Sequence, residues 1–265
     1  MKKILLLLLI SPLLLVAEVH YAKVEPFDSV VLKSSVRALV IDIALEEEGK
    51  NVINKKVIQL DDVLDKINLT SSQKSLLLIK EMLSLNKVIA KNLQNTLKRK
   101  EGYYKRINRL STASRTQKDN AYSAFVSIKT QYLGTKEKII NFNKQLLDMQ
   151  YKIEQLKESI SKKSITLNNN YLYKLMVKKG DFVGQGSALA EVMDMSQGKL
   201  VIFLAPNEME NLENKNIYLN GKKTAYKVDK VWKVADKRFI SSYRAEIYID
   251  APQDRFSTLV KVEIK

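Results

Sequence analysis

Groups able to carry covalent or metal chemistry are few in this sequence and poorly placed for it. No cysteine occurs among the 265 residues, which removes disulfides, a thiolate nucleophile, zinc–thiolate ligation and lipidation of an N-terminal cysteine. His20 is the only histidine. It stands beside a candidate cleavage site, where it reads as part of a disordered terminus rather than as a general base or metal ligand. Glu46, Glu47 and Glu48, and the pair Asp61 and Asp62, are carboxylate clusters. Sequence neighbours point their side chains apart, so these read as turn and helix-start residues rather than an acid–base pair. Met176, Met193, Met195 and Met209 are soft ligands of the kind copper prefers, but they lie in or beside strand-like segments and read as core packing. Gly184 and Gly186 mark a turn, since neither the helix nor the lysine of a phosphate-binding loop follows. Trp232 and the tyrosines read as packing residues. No residue set supports catalysis, a cofactor or a resident metal, so the chemistry to look for is recognition.

The elements that would position such recognition are helical. From about Asp65 to Ser164 the chain reads as two long helices folded back on each other. In the second arm Ile128, Tyr132, Thr135, Ile139, Phe142, Leu146, Met149, Ile153, Leu156 and Ile160 alternate steps of four and three, a sustained heptad with one polar lapse. In the first arm Leu78, Met82, Leu85, Ile89, Leu93, Leu97, Tyr104, Ile107 and Leu110 form a looser stripe. No proline lies between Pro26 and Pro206 to break either helix. The stripe lapses at residues 111–115, where small polar residues suit a tight reversal. Each arm is then about 45–50 residues, or roughly 70 Å at 1.5 Å per residue. A hairpin of that length must project from a body of this size.

Met1, Lys2 and Lys3 precede an apolar run from Ile4 to Ala17, interrupted only by Ser11 and Pro12. A basic start, a short apolar core and a small residue at its end describe a secretory leader, cleaved after Ala17. The alternative is an uncleaved N-terminal anchor; either way the body lies outside the cytoplasm. The formal net charge is +16. Residues 66–165 carry 21 basic and 7 acidic side chains, so the excess belongs to the hairpin. In a cytoplasmic chain this would point to nucleic acid, which the leader argues against. A lysine-rich solvated coiled coil accounts for most of the charge, and a basic rod end steering toward an acidic partner is the sharper reading.

The flanks are β-rich. Strand-like segments fall at 21–32 on either side of Pro26, at 36–43, 57–60, 171–177 and 182–183. A strand from Ala188 stops at Asp194, and another runs from Lys199 to Leu204. A short helix is expected at 207–212. A hairpin joins 217–219 to 224–228 through an Asn220-Gly221 type I′ turn, and strands at 243–250 and 258–264 complete the chain.

Two of these flanks share a plan. Val40–Val52 (VIDIALEEEGKNV) with Val57–Asp62 (VIQLDD) stands before the helices, and Leu175–Asp194 (LMVKKGDFVGQGSALAEVMD) stands after them. Both run strand, charged residue, glycine, charged residue, valine, strand, aspartate. This resembles the two half-motifs of a biotinyl/lipoyl-type β-sandwich split by an inserted helical hairpin, the layout of the periplasmic adaptor, or membrane fusion protein, family (HlyD-like). Gly180, Asp181, Val183, Gly186 and Leu189 sit at the expected places. Arg37 stands near a usual glycine, and Lys55 and Lys56 replace a second turn glycine.

The resemblance implies an elongated α+β protein: a leader at 1–17, a β-barrel domain from 18–33 and 199–265, a split lipoyl-like domain from 34–62 and 168–198, and a coiled-coil α-hairpin over 63–167. In adaptors of that family that dock on TolC-type outer-membrane channels, the hairpin tip carries an arginine, a leucine and a serine in that order, and Arg106, Leu110 and Ser114 match in type and order. The alternative is that Leu110 only closes the coiled coil and Arg106 is solvated. The resemblance further implies a non-enzymatic periplasmic subunit of a tripartite efflux system, forming a homo-oligomer on an inner-membrane transporter. An RND-type pump is favoured. An ABC exporter or type I secretion system would fit if the leader is kept as an inner-membrane anchor. A structural envelope coiled-coil protein is the reading from a different class.

Overall fold

The computed structural model describes residues 19–253 and 255–265. The leader and its cleavage after Ala17 lie outside them. In chain order the elements are β1 (Val19–Lys33), β2 (Ala38–Ile43), β3 (Lys50–Val52), β4 (Lys55–Leu60), α1 (Val63–Arg109), α2 (Arg115–Lys162), β5 (Ser164–Leu167), β6 (Asn170–Leu175), β7 (Phe182–Val183), β8 (Ala188–Leu204), β9 (Ile217–Leu219), β10 (Lys222–Lys223), β11 (Lys230–Val231), β12 (Tyr243–Asp250) and β13 (Leu259–Ile264). Three short 3-10 turns complete them, at Leu45–Glu47, Pro206–Met209 and Leu212–Asn214.

The helices run 47 and 48 residues and pack on each other along their length, so each spans roughly 70 Å. The whole second-arm stripe from Ile128 to Ile160 is covered. In the first arm the distal members Leu93, Leu97, Tyr104 and Ile107 are covered too, but Leu78, Met82, Leu85 and Ile89 are exposed. The seam there runs instead through Leu69, Ser72, Leu76, Ile79, Leu83, Asn86 and Ala90. Counting back from Leu97 in strict steps of four and three reaches this set, whereas the apolar stripe leaves it by taking two steps of four around Ile89. Register with α2 decides between them, and it tolerates Asn86 because that amide donates to the Met82 carbonyl at 2.8 Å.

A polar clasp holds the root of the hairpin. Asp65 Oδ2 accepts from Lys163 Nζ at 2.9 Å and from Ser159 Oγ at 2.8 Å, joining the first turn of α1 to the end of α2. Buried Gln59 donates to the Leu60 carbonyl at 2.7 Å and to Asp62 at 3.2 Å. Burial would raise the Asp65 pKa, but the hydrogen bonds from Lys163 and Ser159 and the lysine charge outweigh it and hold the carboxyl below its ordinary value.

The strands form a nine-stranded and a four-stranded sheet, and every pairing among the described residues is antiparallel. The segment before the hairpin pairs with the segment after it: Lys50–Val52 with Asn170–Leu172, and Ala38 and Leu39 with Val183 and Phe182. These strands enclose one core around Val40, Ile58, Leu60, Leu172 and Leu189. A second core gathers Val24, Leu200, Ile202, Leu204, Ile247 and Val262. Strands β1 and β8 run through both, pairing Lys33 with Ala188 at one end and Val24 with Leu200 toward the other.

The strands depart from the sequence expectations at several points. The patches at 21–32 are one strand, and β8 continues past Asp194 to Leu204. A register shift between Pro26 and Asp28 absorbs the Asp194 region, whose carboxylate accepts the Ser196 N–H at 2.9 Å. The helix expected at 207–212 is two 3-10 turns. Asn220 and Gly221 both take positive φ, as a type I′ turn requires, but the returning strand is Lys222–Lys223 rather than 224–228. In the first half-motif Asn54, with φ of 48°, supplies a left-handed turn position just ahead of Lys55. His20 lies within β1 opposite Val262, and its Nε2 is 2.8 Å from Glu208 Oε1. Pairing with β13 orders this residue, contrary to the disordered terminus expected from its place in the chain. Among the described residues no helix is long and apolar enough to cross a membrane.

Candidate functional site

The reversal between the helices spans Leu110 to Ser114. Leu110 leaves α1 in an extended conformation, its N–H donating to the Ile107 carbonyl at 3.2 Å. Ser114 starts α2 with a capping box: its hydroxyl accepts the Gln117 N–H at 3.2 Å, and the Gln117 side chain accepts the Ser114 N–H at 2.9 Å. Behind the turn Tyr104 packs against Tyr122, with ring centroids 5.3 Å apart, and stacks on Phe125 at 5.9 Å, locking the arms together. The heptad of α2 thus extends back through Phe125 and Ala121. Counting the same steps below Ile128 would have found them.

Arg106, Leu110 and Ser114 are all exposed, and Leu110 leaves half its surface to solvent. Arg106 makes no ion pair among the described residues. Around them, residues 98–119 carry eight basic and two acidic side chains. Both acids are already engaged: Glu101 with Lys105 at 2.6 Å, and Asp119 with Arg115 at 4.0 Å. The Lys105 contact lowers the Glu101 pKa. Among the described residues the tip thus presents an apolar knob and an unpaired guanidinium in a positive field, chemistry that suits recognition of an acidic surface. Among the described residues no three histidine, aspartate or glutamate side chains converge as a metal site would require. Of the methionines weighed as soft ligands, Met209 packs on the second core and Met176 is exposed.

Two apolar rows lie on the outside of the hairpin: the α1 row is the stripe expected at the seam, and the α2 row went unread in the sequence. On α2, Val126, Leu133, Ile140 and Leu147 recur every seventh residue, and all are exposed. On α1, Leu78, Met82, Leu85 and Ile89 form the other row. By heptad position the α1 row falls at c and g and the α2 row at b. In an antiparallel pair that puts them on opposite broad faces. The Asp65–Ser159 contact at the root and the Tyr104–Tyr122 contact near the tip bring the two rows to overlapping heights.

This architecture is that of the membrane fusion, or periplasmic adaptor, proteins. No protein-family model matches the sequence, and no curated protein matches it. The likeness lies in three dimensions. MacA from Actinobacillus actinomycetemcomitans superposes with a TM-score of 0.72 at 12% identity, over 94% of this chain and 78% of that one. The membrane fusion protein Spr0693 from Streptococcus pneumoniae R6 gives 0.62 at 9% identity, over 94% and 99%. A MacA–MexA chimera carrying the Pseudomonas aeruginosa MexA α-hairpin domain gives 0.60 at 15% identity, over 94% and 80%.

Proposed function

We propose that this chain is a non-enzymatic periplasmic adaptor of a tripartite efflux system, joining an inner-membrane transporter to a TolC-type outer-membrane channel through its hairpin tip. The observation that carries the reading is the rod itself, about 70 Å of paired helix ending in exposed Arg106 and Leu110 within a basic field. Enzymes rarely hold a recognition patch that far from their cores, whereas a spacer between two membranes needs that reach. The first core acts as the lipoyl-like domain and the second as the barrel that rests on the transporter. An RND-type pump is favoured because the leader reads as cleaved. Retention of 1–17 as an anchor would favour an ABC exporter or a type I secretion system.

The protein works as a homo-oligomer. Apolar rows on opposite faces of the hairpin fit a head-to-tail contact, which closes into a ring. The test reverses the tip. Arg106→Glu with Leu110→Asp should abolish cross-linking to the outer-membrane channel and lower the drug or ion tolerance of the host, while helical circular dichroism is unchanged. Unaltered cross-linking and tolerance would favour a structural envelope coiled-coil protein instead.

A further inference from the structure

The second core carries an exposed loop that joins large apolar side chains to a cluster of cations. Between β11 and β12 the chain makes an ordered excursion over residues 232–242, fastened by Trp232 N–H to the Arg244 carbonyl and Asp236 N–H to the Ser242 carbonyl, each 2.9 Å. At its end Ile240 and Val234 leave 86% and 78% of their surface in solvent, and Phe239 leaves half. Phe239 alone has an aromatic partner, Phe203 at 4.3 Å. Lys233, Lys237 and Arg238 are exposed beside them. The one acid of the loop is tied up locally, since Asp236 Oδ1 accepts the Arg238 and Phe239 N–H groups at 2.7 and 3.3 Å.

Charge is concentrated here. Residues 166–265 hold 16 basic and 12 acidic side chains, and five of the basic and one of the acidic ones fall within 230–244. The remainder balances at 11 and 11, so the whole positive excess of the C-terminal part sits on this loop and its stem.

Its position is equally specific. Tyr243, directly after the loop, pairs with Leu204 at the end of β8. The same end of the sheet holds Val19 and His20, the latter against Glu208. The hairpin is rooted in the other core. We propose that the 232–242 loop seats on an anionic phospholipid bilayer, with Val234, Phe239 and Ile240 in the headgroup boundary and Lys233, Lys237 and Arg238 on the phosphates. Apolar side chains standing out on a cationic base fit a deformable charged interface. The proposal is independent of what the tip binds.

Trp232 is the sole tryptophan and stands at the base of the loop, its ring under Lys230 at 4.5 Å and Arg244 at 4.9 Å. The purified chain is floated with phosphatidylglycerol–phosphatidylethanolamine vesicles and with phosphatidylcholine vesicles, and its emission is recorded with brominated acyl chains as quencher. Salt-sensitive flotation with the anionic vesicles and quenching of Trp232 are expected. Val234→Ser with Ile240→Ser, or Lys237→Glu with Arg238→Glu, should each weaken vesicle affinity roughly tenfold or more at unchanged helical content. Flotation with Trp232 unquenched would overturn the proposal and assign binding to the N-terminal apolar run. So would absence of flotation, and if the same variants then lost cross-linking to an inner-membrane transporter the loop would be a protein contact.

Discussion

The Ser114 hydroxyl already accepts the Gln117 N–H, so removing it weakens the start of α2 whatever else it touches. Ser114→Ala should cost about 1 kcal/mol of hairpin stability, read by thermal melting of the helical signal. Ser114→Asp keeps the cap and adds a charge the helix start favours. Loss of channel cross-linking in that variant, with the melt preserved, would show a docking role beyond capping; retained cross-linking would leave Ser114 as a cap. Glu263 offers a second residue-level test. Lys261, at 2.5 Å, and Lys265 both donate to it and hold its pKa at about 2, below the ordinary 4.5. A depressed carboxylate stabilises the fold above its unfolded pKa and loses that contribution as pH falls through the folded value. The difference in melting temperature between wild type and Glu263→Gln should therefore be full at neutral pH and shrink between about pH 4.5 and 2. A constant difference across that window would refute the linkage.

The hairpin seam is where apolar pattern alone misleads. Helix α1 holds enough leucine and isoleucine to satisfy two stripes, and the more apolar one faces solvent. Leu83, 7% exposed, lies in the seam, whereas Leu85, 58% exposed, lies outside it. Leu83→Ala should destabilise the chain by about 2 kcal/mol, and Leu85→Ala should stay within about 0.5 kcal/mol, both by denaturant melts on monomeric protein. Equal effects would mean the seam runs elsewhere. In α2 no such ambiguity arose, because only one set of positions kept the heptad without a lapse longer than Thr135, and that set is covered throughout.

In the proposed homo-oligomer, the different apolar rows on the two faces of the rod would meet head-to-tail. Leu85→Glu damages one face and Ile140→Glu the other, so each variant should sediment as a smaller species than wild type. Mixed, the intact α2 face of the first can meet the intact α1 face of the second, and assembly should stop at pairs. Oligomers larger than pairs in the mixture, or wild-type sedimentation of either single variant, would remove the rows from the interface. The charge of the rod adds a salt dependence, since like-charged neighbours are brought together and screening relieves their repulsion.

Periodicity, turn chemistry and the missing proline determined the two long helices, their reversal near residue 112 and the strands on either side, because these are local properties written into successive residues. The flanking half-motifs pointed to a pairing across the hairpin, and the ladder of Lys50–Val52 with Asn170–Leu172 bears it out. The lapse at 111–115 located the reversal, and Leu110 and Ser114 cap the two helices beside it with Arg106 in the last turn of α1; a docking role for the three came from the resemblance alone. What only the tertiary structure decided are choices between equally good local answers. These include which of two apolar stripes in α1 meets α2, that β1 and β8 each run unbroken through two cores, and that His20 is held in a strand. Each depends on a partner far away in the chain, since burial is a property of the pair and not of either segment.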